Sequence, residues 1–144
     1  MNTQRIRACI AIGAACALGA AMAADLPRSL APKDAELYFI SPQDGATVKS
    51  PVTVRFGLRG MGVAPAGVAT QNTGHHHLLI DAELPQQDLP VPADANHVHF
   101  GKGQTEAAVT LAPGRHRLQL LLGDHLHIPH DPPVASKPIT IIVE

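Results

Sequence analysis

The chain has 144 residues, a formal net charge of −1 and nine histidines, against three phenylalanines, one tyrosine and no tryptophan. That length suits one domain of ordinary size, and a near-neutral chain without an Arg-rich face is not built to grip nucleic acid. With more than twice as many histidines as aromatic residues, imidazole is not serving as core filler.

The N-terminus has the order of parts of an export signal. Arg5 and Arg7 precede the uncharged apolar run "ACIAIGAACALGA", and Ala21-Met22-Ala23 supplies a small-x-small cleavage site. This predicts a secretory signal peptide over 1–23, cleaved after Ala23, and a periplasmic domain. The run is too short for a hydrocarbon core of about 30 Å, so no transmembrane segment is expected after cleavage. Cys9 and Cys16 both fall in the signal peptide. The exported domain is then left with no disulfide, no thiolate nucleophile and no thiolate metal ligand.

Residues 24–35, "ADLPRSLAPKDA", are small, polar and proline-bearing and are expected to form a flexible leader. From 36 to 144 the pattern is that of a single β domain. Period-2 alternation predicts strands at 36–40, 52–58, 75–81, 96–100, 105–111, 115–122 and 139–143. Gly/Pro-rich stretches separate them, the longest being "RGMGVAPAGVATQNTG" and "AELPQQDLPVPADA". About seven short strands without helical periodicity predict an all-β fold, an immunoglobulin-like antiparallel β-sandwich. The inward faces are expected to join Val54, Phe56, Leu58, Leu78, Ile80, Val98, Phe100, Val109, Leu111, Leu118, Leu120, Ile139 and Ile141 in one core.

The histidines fall in a pattern. His75 and His77, His97 and His99, and His125 and His127 repeat an i, i+2 spacing, with His130 and Asp131 close behind the third pair. On a strand that spacing puts both imidazoles on one face, where they can share an ion. These eight residues are the candidate metal ligands. With no thiolate, imidazole and carboxylate favour Cu(II) or Zn(II), and Asp81, Asp124 and Asp131 are the nearest carboxylates. His76 is expected to be structural, since alternation turns it inward with Leu78 and Ile80, where it would hydrogen-bond to backbone. His116, just before Leu118, is expected to be structural as well. Gly101-Lys102-Gly103 lacks the spacing of a phosphate-binding loop, and no serine lies in a GxSxG elbow.

"SPQDGATVKSPVTVRFGLRGMGVAPAG", "GHHHLLID", "HVHFGKGQTE" and "LQLLLGDHLHIPHDPP" together resemble the bacterial domain-of-unknown-function family 4399, from about Glu36 to Glu144. The resemblance implies an exported bacterial domain and supplies no mechanism. The "HVH" of 97–99 also resembles part of the ligand pattern of Cu/Zn superoxide dismutases, but the rest of that pattern and its disulfide are missing. The sequence therefore points to a periplasmic metal-binding protein, a carrier, buffer or sensor for Cu(II) or Zn(II). Two other readings stay open. One is an interaction module that docks an envelope protein or glycan with structural histidines, and the other is a small redox or hydrolytic metalloenzyme.

Overall fold

In the computed structural model, residues 26–144 are described; the expected signal peptide, 1–23, lies outside the described residues. Among the described residues nine strands follow one another: β1 (Glu36–Ser41), β2 (Thr47–Val48), β3 (Val52–Arg59), β4 (Gly62–Val63), β5 (Thr73–Ile80), β6 (His97–His99), β7 (Glu106–Val109), β8 (Gly114–Gly123) and β9 (Ile139–Val143). One sheet has the order β1-β3-β7; the other runs β2-β9-β8-β5-β4, with β6 also paired to β5. The long pairings are antiparallel, while the two-residue β2 and β4 add short parallel ladders to β9 and β5.

Leaving β2 and β4 aside, the first, second and fifth of the seven remaining strands form one sheet. The third, sixth and seventh form the other, with the fourth beside the third. This is the partition of an immunoglobulin-like sandwich, as the alternation predicted. The two extra strands sit in stretches whose turn residues masked them.

The sheets face each other over a single core. Val52, Val54 and Phe56 from β3 meet Leu78 and Ile80 from β5, Leu118, Leu120 and Leu122 from β8, and Ile141 from β9. Every residue expected in the core belongs to this cluster, with Leu58, Val98 and Ile139 only partly buried at its margin. Phe56 lies near its centre, its ring centroid 4.9 Å from those of both Phe100 and His76.

The outer face of the larger sheet is also covered. Leu79 and Leu121 point away from the main core and are buried with Val91, against Ala82 and Ala135. The cover is supplied by the loops after β5 and β8, so β5 is buried on both faces from Gly74 to Ile80. Part of the expected flexible leader is docked too. Ala31 donates its amide to the Asp131 carbonyl, and Asp131 returns one to the Ser29 carbonyl, each at 2.9 Å. Composition alone could not reveal these partners, which lie about a hundred residues away.

Truncating Phe56 to alanine should remove the contacts that tie the two sheets together, at a cost of about 3–5 kcal/mol. Chemical denaturation measures it; a loss under about 1 kcal/mol would place Phe56 outside the core.

Candidate metal centre

Strand β5 carries three histidines in a row, and the pleat separates them. His76 turns inward against Phe56, while His75 and His77 turn to the outer face. There His77 stands directly opposite His99 of β6, and His75 opposite Gly123 of β8. His127 comes from the loop after β8 and completes the group. Four ligand atoms, one each from His75, His77, His99 and His127, all lie within 4.8 Å of one another. The ring centroids of His75 are 4.7 Å from His77 and 4.9 Å from both His99 and His127.

His127 is placed by backbone rather than by strand alternation. Its φ is +66°, in the left-handed region, which histidine enters more readily than most residues. The turn is closed by Asp124: its carbonyl accepts from the His127 amide at 2.9 Å, and its Oδ1 accepts from the Leu126 and Ile128 amides at 2.8 and 3.0 Å. Burial alone would raise the Asp124 carboxyl. Donation from Ser29 and from those two amides outweighs it and holds the group below the usual carboxylate range. Asp124 is thus a support for the cluster, with both oxygens already engaged.

Two glycines make room for the rings. A Cβ on Gly123 would meet His77 Cε1 at 2.6 Å, and one on Gly101 would fall inside the His99 imidazole. Neither glycine has a positive φ, so these positions are kept open by space and not by backbone conformation.

Electrostatically the floor of the site is neutral and dry. His75 and His77 are 0% and 1% exposed. Burial first, and then the neighbouring imidazoles, lower their pKa values to about 4 and about 3. His99 is lowered by burial and by His127. The Nε2 of His75 and the Nδ1 of His127 are 3.1 Å apart, sharing a hydrogen bond, but the Nδ1 atoms of His75 and His77 are buried with no partner. Buried polar atoms are normally paired, and an unpaired one costs about 1–3 kcal/mol. Four imidazole nitrogens within 4.8 Å of one another, two of them on buried rings that resist protonation, fit a cation. Zinc–nitrogen bonds of about 2.0–2.1 Å place tetrahedral ligands about 3.3 Å apart, and the four nitrogens lie within 4.8 Å of one another.

The other candidates lie elsewhere. His97 shares the outer face but pairs with Leu79, one step down β5, and its Nδ1 is held by Asp94 at 2.8 Å. His125 lines a cleft of about 420 Å³ with Ser29, Asp124 and His130. His130 is buried, its ring nitrogens 3.4 and 3.2 Å from the Leu122 and Thr73 carbonyls. Asp131 pairs with Arg28 at 3.4 Å. Of the eight candidates, then, four meet.

Asp81 is occupied by His116, whose other ring nitrogen faces the Ala112 carbonyl at 2.9 Å. The Asp81 hydrogen bond first, and then the Ala112 carbonyl, raise the His116 pKa. His76 is buried as expected, but neither ring nitrogen has a hydrogen bond of normal geometry. The Gln104 backbone makes only a weak contact, which raises its pKa against the stronger lowering by burial. Strand β5 gives its own backbone groups to β6 and β8, so none of them serves the ring. Gly101 and Gly123 were missed as site residues; the signal available was a glycine close in sequence to a ligand histidine.

Fold and cluster together define an immunoglobulin-like sandwich with four histidines gathered on the outer face of one sheet. Residues 54–144 match the family model described as Domain of unknown function (DUF4399), and the chain belongs to that family. All four clustered histidines lie inside the matched span. No curated protein matches the chain in sequence. Among solved structures, the fibronectin(III)-like modules of Clostridium thermocellum CbhA are similar at 12% identity and a TM-score of 0.33, covering 74% of this chain and 92% of that one.

The buried histidines make the metal-free fold acid-sensitive. In the unfolded chain they take protons near pH 6.5, whereas folded His75 and His76 resist protonation until about pH 4 and His77 until about pH 3. Because the unfolded state binds more protons in that window, stability rises with pH and falls as pH drops from about 6.5 towards 4. Replacing His76 with leucine removes a buried ring that has only a weak contact, to the Gln104 backbone, to lose. Thermal unfolding of His76→Leu should show an unchanged or higher Tm at pH 7 and a shallower fall towards pH 4. A fall as steep as in the unaltered protein would contradict this.

Proposed function

We propose that this is an exported metal-binding domain that takes one Cu(II) or Zn(II) ion on His75, His77, His99 and His127 and serves as a carrier or buffer. The observation that carries the reading is the convergence of four imidazoles within 4.8 Å, two of them buried with unpaired Nδ1 atoms. An all-imidazole donor set without thiolate suits both ions, with Cu(II) ahead on intrinsic affinity. Export rests on the N-terminal signal described above.

The shape of the site favours carriage over a purely structural role. His75 and His77 form a buried floor, His127 is half-buried and His99 is exposed. An ion can therefore enter and leave on the His99 side without unfolding of the sandwich. The outer sheet face, loops and glycines hold the ligands in place before the ion arrives, which lowers the ordering cost of binding.

Equilibrium titration should give one ion per chain with a submicromolar Kd. At free metal about 100 times Kd, binding confined to the folded state adds about 2.7 kcal/mol of stability, which thermal unfolding reads as a rise in Tm. His77→Ala should lose both effects and keep the metal-free fold, whereas His97→Ala should keep both. Gly123→Ala should weaken binding by displacing the His77 ring. Absence of saturable binding, or equal binding by His77→Ala, would refute the assignment.

A further inference from the structure

We propose that the segment Arg28–Ala31 is a strap that sets the position of His127, with Ser29 acting through Asp124 as a positioning residue for the metal site. The inference rests on the metal-binding reading and adds a determinant that lies outside the span shared with the family, residues 54–144.

Asp124 is 1% exposed and its two carboxylate oxygens have different tasks. Oδ1 accepts from the Leu126 and Ile128 amides and so holds the turn that carries His127. Oδ2 accepts from the Ser29 hydroxyl at 2.7 Å. The same stretch of chain is anchored on the far side of the turn. Arg28 donates from Nε to the Pro129 carbonyl at 3.2 Å and from its guanidinium to the His130 carbonyl, and it pairs with Asp131 at 3.4 Å. The Ala31 amide and the Ser29 carbonyl complete a short ladder with Asp131. The strap thus grips both ends of the 124–131 loop.

This loop needs an external hold. The left-handed conformation of His127 persists only if its surroundings enforce it. Two backbone pairs, His127 amide to Asp124 carbonyl and Asp124 amide to Ile128 carbonyl, hold the turn at 2.9 Å each. Besides these, it is held by two amides that end on the single Asp124 carboxylate. From the opposite side, the Val91 amide donates to the His127 carbonyl at 2.9 Å. Without the Ser29 hydroxyl, Oδ2 is left buried with no donor, and the carboxylate is free to rotate away from the turn amides. Supports of this indirect kind change metal affinity by about 10–100-fold when removed.

The test compares the full exported chain with Ser29→Ala and Ser29→Thr, using Zn(II) for affinity and Co(II) as a visible-spectrum probe of ligand number. Ser29→Ala should bind Zn(II) about tenfold more weakly, with a Co(II) band altered by the loss of one imidazole; Ser29→Thr should restore both. In metal-free protein, hydrogen exchange at the His127 and Ile128 amides should speed up in Ser29→Ala while β3 and β5 stay protected. If wild type binds metal and Ser29→Ala binds it equally well with the same spectrum, the strap is refuted and the metal site stands. Unchanged exchange at His127 and Ile128 also refutes it. If wild type binds neither ion, the strap falls together with the metal reading.

Discussion

Two uncharged imidazoles shut away from water on the outer face of strand β5 are the constraint on which the site depends. A neutral imidazole buried beside three others cannot easily take a proton, because desolvation and mutual repulsion both oppose the charge. His75 and His77 are therefore kept as bases well below neutral pH. This is an uncomfortable arrangement for a stable core. A leucine at either position would bury as well and leave no unpaired nitrogen, so the stability lost here is consistent with a ligand-binding role.

Keeping those rings dry takes several remote parts of the chain. An immunoglobulin-like sandwich needs only one buried face per sheet, yet here the outer face of β5 and β8 is roofed by loops carrying Val91, Ala82 and Ala135. The roof leaves an opening at His99, so the cluster has a closed floor and an accessible rim. The rings need that space, which Gly101 and Gly123 provide by offering no Cβ. On the rim, His127 depends on a turn and not on a strand, and that turn depends in turn on Asp124.

The strands and the inner core were legible because alternation is a local signal: Val52, Val54 and Phe56 read as one face and bury as one face. Strand β5 was harder, since a run buried on both sides has no period to follow. The histidine pairs were half legible. Spacing of i, i+2 correctly put His75 beside His77, but along β6 the same spacing carries His97 past the cluster to Leu79. At 125 and 127 the rule had no strand to act on, and only His127 turns towards the others. Where His130 and Asp131 go is decided by tertiary contacts with Arg28, Thr73 and Leu122, which no local pattern encodes.

X-ray absorption on the protein loaded with one equivalent of Zn(II) tests the central claim most directly, because it counts donors without relying on a change in stability. The account predicts a first shell of four nitrogen donors at about 2.0–2.1 Å, with the outer-ring scattering of four imidazoles. A shell of two imidazoles or fewer, filled out by oxygen, would contradict it.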